Sequence, residues 1–256
     1  MGGVRAFVSK HPLTFFAIFT YILSWSSIPV ADGGILPQGP FLAAIIVLAL
    51  TVGGAGLAAY FRRLIKLPTR WAWLLVGPAL VATYLLLAAL IHALLGGAMS
   101  STPSLDGFGG KLMMLLLLGG LWEEPGWTGY ALPLLQERYA SRGNNQLLAS
   151  LHVGALRAFW HLPLVISGAI PWYDVVFFSF ALQFLITWLY NRTGSVPAVM
   201  LLHLASNLFG GSTMLPLYTG ADHTQYYVIF IAVAWVLALL LTRPNNWSMG
   251  RAAARR

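Results

Sequence analysis

The chain has 256 residues, 58% of them hydrophobic and only 9% charged, with a mean hydropathy of +0.74, against roughly 25% charged residues in an average soluble domain. That balance excludes a water-soluble globular fold, so the net charge of +8 is not a nucleic-acid signal and its meaning lies in which connections carry it. No cysteine occurs, which excludes disulfides, thiol nucleophiles and thiolate-bound metal.

In chain order, eight apolar segments reach or approach the roughly 20 residues that a helix rising about 1.5 Å per residue needs to cross a bilayer. They run from Leu13 to Val30, Phe41 to Tyr60, Trp71 to Leu95, Leu112 to Gln136, Gln146 to Ile170, Val175 to Tyr190, Val196 to Phe209 and Tyr226 to Leu241. The first is long and is succeeded by further spans, which reads as a retained anchor rather than a cleaved signal peptide. The seventh is short for a full crossing. Arg5 and Lys10 precede the first segment. Arg62, Arg63, Lys66 and Arg70 come after the second, Arg138 and Arg142 after the fourth, Arg192 after the sixth, and Arg243, Arg251, Arg255 and Arg256 after the eighth. The alternate connections hold Asp32, Asp106, Asp174 and Asp222, with Lys111 their one strong base. Bases concentrate on the cytoplasmic side of membrane proteins, so this alternation predicts both termini in the cytoplasm. The expected fold is all-α: a polytopic bundle of about eight transmembrane helices around an intramembrane polar cavity. Residues 1–256 read as one integral membrane domain, and compact size with short loops points to a bacterial plasma membrane.

Inside the segments remain Glu123, Glu124, Arg157, His161 and His203, joined by His92 and His152. Ionisable groups at membrane depth are costly and default to function. In "EEPGWTGYALP" the two glutamates are neighbours, so their side chains diverge by about 100° on a helix and take different partners. Glu123 shares a face with Trp127 and Glu124 with Thr128. Pro125 bends the segment, and Gly119, Gly120 and Gly126 admit a close neighbour. In "HLASNLFGG", His203 and Asn207 stand four apart on one face. Glutamates, two histidines and an asparagine meeting near mid-depth suit activation of water and stabilisation of an oxyanion.

The segments "EEPGWTGYALP", "FWHLPL" and "NRTGSVPAVMLLHLASN" together resemble the CAAX prenyl protease and bacteriocin-processing family (CPBP, Abi) of intramembrane proteases, over a core of about 112–209. The resemblance implies a helical membrane bundle whose cavity is reached from the cytosolic side and laterally from lipid. It implies that Glu123 and His161 activate water, that His203 and Asn207 donate to the oxyanion, and that Glu124 is structural. The implied activity is an intramembrane endopeptidase (a hydrolase; proteolysis) cutting a hydrophobic or lipidated peptide near the cytosolic face, with membrane lipid as its surroundings and no nucleic acid.

Two positions depart from the family pattern. Thr128 stands where the family has an arginine four residues after the second glutamate, and Arg157 stands where it has an aromatic four residues before the histidine. A guanidinium moved from one segment to the next, still reaching Glu124, accounts for both. Glu123, His161 and His203 are also candidate ligands of a catalytic zinc; the same residues fit a metal-free glutamate and histidine pair, since no HExxH presets two ligands on one helix. Two other classes use the same groups: a catalytically reduced regulator or immunity factor, supported by Thr128, and a proton-coupled transporter, against which stands the lack of an internal repeat.

Overall fold

The computed structural model describes residues 2–31, 33–104 and 106–243. Asp32, Arg251, Arg255 and Arg256 lie outside the described residues. Among those described, every regular element is helical. This is the expected answer to a solvent that offers the backbone no hydrogen bonds.

A short amphipathic helix, α1 (Gly2–Lys10), leads into α2 (Pro12–Trp25), with Pro12 in the first turn where its missing N–H costs nothing. A 3₁₀ turn over Ile28–Val30 ends the first segment. The second segment is not one helix. α3 (Gly39–Thr51) stops at Val52, and α4 (Gly53–Leu64) restarts from Gly53 at φ +67, a left-handed conformation that glycine tolerates. α3 has 13 residues and is therefore only about 20 Å long, while α4 exposes Arg62 and Arg63 and buries Tyr60.

α5 (Trp73–Leu94) is continuous. The fourth segment is α6 (Phe108–Leu118), a 3₁₀ turn Gly120–Glu123, the single turn α7 (Glu124–Gly126), a π turn Trp127–Ala131 and α8 (Leu132–Arg138). The fifth is α9 (Asn145–Trp160) and then α10 (Leu162–Ile166). The sixth is a π turn Asp174–Phe178 running into α11 (Ser179–Thr193). Gly194 at φ +61 turns the chain, and the Ser195 hydroxyl caps α12 (Val196–Ala205) by accepting from the N–H of Ala198. A π turn Ser206–Met214 and a 3₁₀ turn Leu215–Leu217 carry that segment past Gly210 and Gly211, so it extends beyond the Phe209 end of its apolar run. α13 (Gly220–Leu241) closes the described chain.

Five helical stretches, Pro12–Val30, Trp73–Leu94, Asp174–Thr193, Val196–Leu217 and Gly220–Leu241, are long and apolar enough to cross a membrane. The other expected spans are helical but interrupted, at Gly53, at Gly119 and at His161.

Contacts fix a common up-and-down order. At one end Lys111 Nζ donates to the Ser212 carbonyl, His92 Nε2 lies 3.0 Å from Asp222, and the Ser100 N–H donates to the Leu217 carbonyl. At the other, Gln136 and Gln146 both bond Asn191, and Arg5 bonds the Thr51 carbonyl. Asp106 and Asp222 stand at the first, acidic end, while Arg5, Arg138, Arg142 and Arg192 gather at the second, basic end. Both described ends of the chain are at the basic end.

Two apolar clusters build the bundle. One joins α5, α11, α12 and α13 through Tyr84, Leu185, Leu202 and Phe230. The other joins α2, α3, α8 and α9 through Phe16, Val47, Leu135 and Val153, with Trp127 and Trp160. α5 and α12 touch backbone to backbone at Gly77, where an added Cβ would lie 2.6 Å from Leu202 Cβ and 2.9 Å from its Cα.

Gly77→Ala should therefore lower the thermal unfolding temperature of the detergent-solubilised protein, because overpacking costs about 1–3 kcal/mol and outweighs the roughly 1 kcal/mol that alanine gains in a helix. Gly110→Ala in α6, where an added Cβ meets nothing within 4 Å, should leave it unchanged or raise it.

Candidate active site

α6 ends where Gly119 turns extended at ψ 170, and the chain re-enters helix through a tight 3₁₀ turn that places Glu123 and Glu124 between the two clusters. Both are buried, at 5% and 0% exposure, and their environments differ.

Both carboxylate oxygens of Glu124 are engaged. Its Oε1 accepts from Arg157 Nη2 at 2.8 Å and from His203 Nδ1 at 2.7 Å, and its Oε2 accepts from the Thr128 hydroxyl at 2.5 Å. Glu124 thus ties α9 and α12 to its own segment. Glu123 has one weaker contact, Arg157 Nη1 at 3.4 Å from Oε2. The Arg157 guanidinium is buried at 1% exposure and lies 5.9 Å above the Trp127 ring, close enough for a cation–π contact. Thr128 fills the position where the resemblance expects an arginine, and the arginine arrives from α9 instead.

His161 caps the end of α9, where Pro163 limits helix continuation. Its Nδ1 lies 2.9 Å from the Arg157 carbonyl. A carbonyl only accepts, so Nδ1 carries the proton and Nε2 is the basic atom. His203 likewise uses Nδ1, on Glu124. The space before His203 is kept by Gly120, where an added Cβ would meet His203 Nε2 at 2.4 Å and Asn207 Nδ2 at 2.6 Å.

Glu123, Arg157, His161, His203 and Asn207 line one cavity of about 270 Å³. Asp174 and Tyr227 line it too, with the Tyr227 hydroxyl donating to Asp174 Oδ2 at 2.5 Å. The charge pattern puts Asp174 in a connection; instead it opens the sixth helical stretch and faces the site. The signal for that is an acid abutting the apolar run "DVVFF", which charge counting alone assigns to a loop. Tyr84, bonded to Ser206 at 3.0 Å, forms part of the wall. His92, His152 and His223 are placed elsewhere, against Asp222, Tyr139 and the Tyr227 ring.

The cavity has a closed end and an open end. Glu123, Arg157, His203, Leu182 and Tyr84 are buried, whereas Leu164, Ile170 and Asp174 are partly exposed and Gly211 is exposed. The open end is the acidic one. Toward the basic end, Thr128, Leu132, Leu135, Val153, Ile186, Leu189 and Val199 are all buried and fill the bundle. The sequence expects cytoplasmic termini and cleavage near the cytosolic face; in this fold the described ends of the chain stand at the basic end and the exposed wall of the cavity at the acidic end.

The residues as placed do not fit a zinc site. Among the described residues no three His, Asp or Glu side chains are gathered closely enough to hold a metal ion; His161 and His203 each spend Nδ1 on a protein oxygen and keep Nε2 free.

The profile of the family described as "Type II CAAX prenyl endopeptidase Rce1-like" matches residues 107–209, the stretch that supplies most of this cavity's polar wall. The CAAX prenyl protease 2 of Methanococcus maripaludis is 28% identical over 223 residues, covering 78% of this chain and 78% of that protein. The chain is thus similar to CAAX prenyl proteases well beyond the three motifs, and this similarity together with the apolar helices supports an intramembrane protease.

Removing one partner of a buried ion pair leaves the other charge uncompensated, at a cost of about 3–5 kcal/mol. Arg157→Phe should accordingly lower folded yield and thermal stability. Adding Thr128→Arg, which returns a guanidinium to the turn after Glu124, should recover both. Size-exclusion profiles and thermal unfolding of the single and double variants check this.

Proposed function

We propose that this chain is an intramembrane endopeptidase that hydrolyses a peptide bond in a hydrophobic or lipidated substrate at the depth of Glu123. The observation that carries the reading is the inequality of the two glutamates: Glu124 is held on both oxygens by Arg157, His203 and Thr128, while Glu123 faces the same cavity as His161, His203 and Asn207.

In this reading a water held between Glu123 and the Nε2 atom of His161 loses a proton to them as its oxygen adds to the scissile carbonyl carbon. Arg157, 3.4 Å from Glu123, orients the carboxylate. Asn207 Nδ2 and His203 Nε2 donate to the carbonyl oxygen as it becomes an oxyanion. For His203 to donate there while Nδ1 remains bonded to Glu124, the ring must be an imidazolium, and the Glu124 carboxylate balances that charge. The proton then passes to the departing amine, and the carbon–nitrogen bond breaks. Burial of the cluster strengthens each of these interactions over its value in water.

Purified protein in lipid vesicles, supplied with membrane polypeptides and scored by new N-termini, should show cleavage that Glu123→Gln, His161→Ala or His203→Ala each abolish. Combining the three should add little, as residues acting as a unit are not additive. Asn207→Ala should cost about 10²–10³ in kcat, the usual loss for one oxyanion donor. A chelator should leave the rate unchanged. Additive partial losses, or loss of activity on chelation, would contradict the assignment.

A further inference from the structure

We infer that the cavity receives its substrate from the non-cytoplasmic side of the membrane, and that the substrate is an apolar membrane-inserted peptide cut internally at the depth of Glu123. The inference rests on the protease reading for the word substrate, and on geometry for the direction.

Three observations carry it. First, the lining residues order themselves by depth. Glu123 lies halfway along 108–138, His203 is succeeded outward by Ser206, Asn207, Gly210, Gly211 and Leu215, and Asp174 begins the descending stretch 174–193. From the catalytic group the cavity therefore extends only toward the acidic end, and its exposed wall, Ile170 to Asp174 and Gly211, is there. Second, the route from the basic end is filled. Gln136, Asn191 and Gln146 are buried and bonded across three segments, with Leu135, Val153 and Leu189 packed between them and the site. A chain end arriving from that face would have to displace the core of the bundle. Third, the ends differ in charge. Arg5, Arg62, Arg63, Arg138, Arg142 and Arg192 are connected to the basic end and Asp106 and Asp222 to the acidic one. Short loops rich in Lys and Arg stay in the cytoplasm, so the acidic end, and the mouth with it, faces outward.

The chemistry of the wall narrows the substrate. Arg157 is the one Lys or Arg among the lining residues, and it is engaged by both glutamates. Asp174 stands at the mouth, and a free terminal carboxylate entering there would meet a like charge before it reached the buried cluster. An internal peptide bond of a membrane segment carries no such charge. Its flanking apolar residues suit Leu164, Ile170, Phe178 and Leu215 of the same wall.

Because the chain has no cysteine, single cysteines report the geometry directly. Ile170→Cys at the mouth and Arg142→Cys in the basic connection would be expressed in cells as full chains and exposed to a membrane-impermeant maleimide before and after permeabilisation. Ile170→Cys should be labelled in intact cells, and Arg142→Cys only once the membrane is opened. Any other pattern overturns the inference. If Ile170→Cys fails to accumulate, the exposed neighbour Ala169→Cys replaces it. In a second arm, a bulky maleimide added from outside to Ile170→Cys should block cleavage, and undiminished cleavage by the fully labelled protein overturns the access route. The labelling is read without a substrate, so an absence of proteolysis in the unmodified protein counts against the protease reading alone.

Discussion

The ion pair between Arg157 and Glu124 is the contact on which the rest of this bundle depends. It is made at 2.8 Å by a guanidinium at 1% exposure and a carboxylate at 0%. A charge so far from water persists only with its opposite beside it, and here that requirement sets where the helices meet. To reach Arg157 and Thr128 and His203 at once, Glu124 must stand where α9, α12 and the broken fourth segment converge. Satisfying one glutamate completely leaves the adjacent one, diverging by about 100°, facing a cavity with two histidines and an asparagine. The difference in surroundings between neighbours identical in chemistry comes from their angle on the helix and from where Arg157 sits.

That cation also reaches Glu124 from a helix other than the one the sequence motif would use. The motif that the sequence resembles leads one to expect an arginine one turn after the second glutamate, where this chain has Thr128. A guanidinium is long enough to reach the same oxygen from a neighbouring helix, provided the position it leaves is small and can still donate a hydrogen bond. Threonine does both. The stacking of Arg157 over Trp127 adds a reason for arginine rather than lysine, since a planar, weakly hydrated cation is better suited to an aromatic face in a dry interior.

Much of this is legible in the sequence, for reasons that are physical. Apolar length reveals the helical segments, because lipid leaves the backbone no other choice. The Glu, His and Asn positions stand out because polar groups in such segments are expensive, and the exchange at 128 and 157 is readable because each departure alone would strand a charge. Other features are not readable. The break at Gly53 looks like continued hydrophobicity, since a left-handed residue has no hydropathy signature. α1 escapes notice because nine residues make no apolar run. Asp174 passes for a loop acid because charge counting cannot see that the connection before it folds inward. Which end of the bundle is filled depends on side chains from several segments meeting, and no single stretch of sequence records that.

The widened turns at Trp127–Ala131, Asp174–Phe178 and Ser206–Met214 all border the cavity or the pair that braces it. A π turn is a helix that has absorbed an additional residue without unwinding, so the helix on its far side is out of phase with the near side by about 100°. In the seventh segment His203 precedes such a turn while Gly210, Gly211 and Leu215 lie within or after it, and all four face the same space. The number of residues in that stretch, more than their identity, keeps both halves aimed inward. Related chains that preserve every motif residue but differ there by one insertion or deletion would present a different wall to whatever enters, making length a determinant of selectivity that residue-by-residue comparison overlooks.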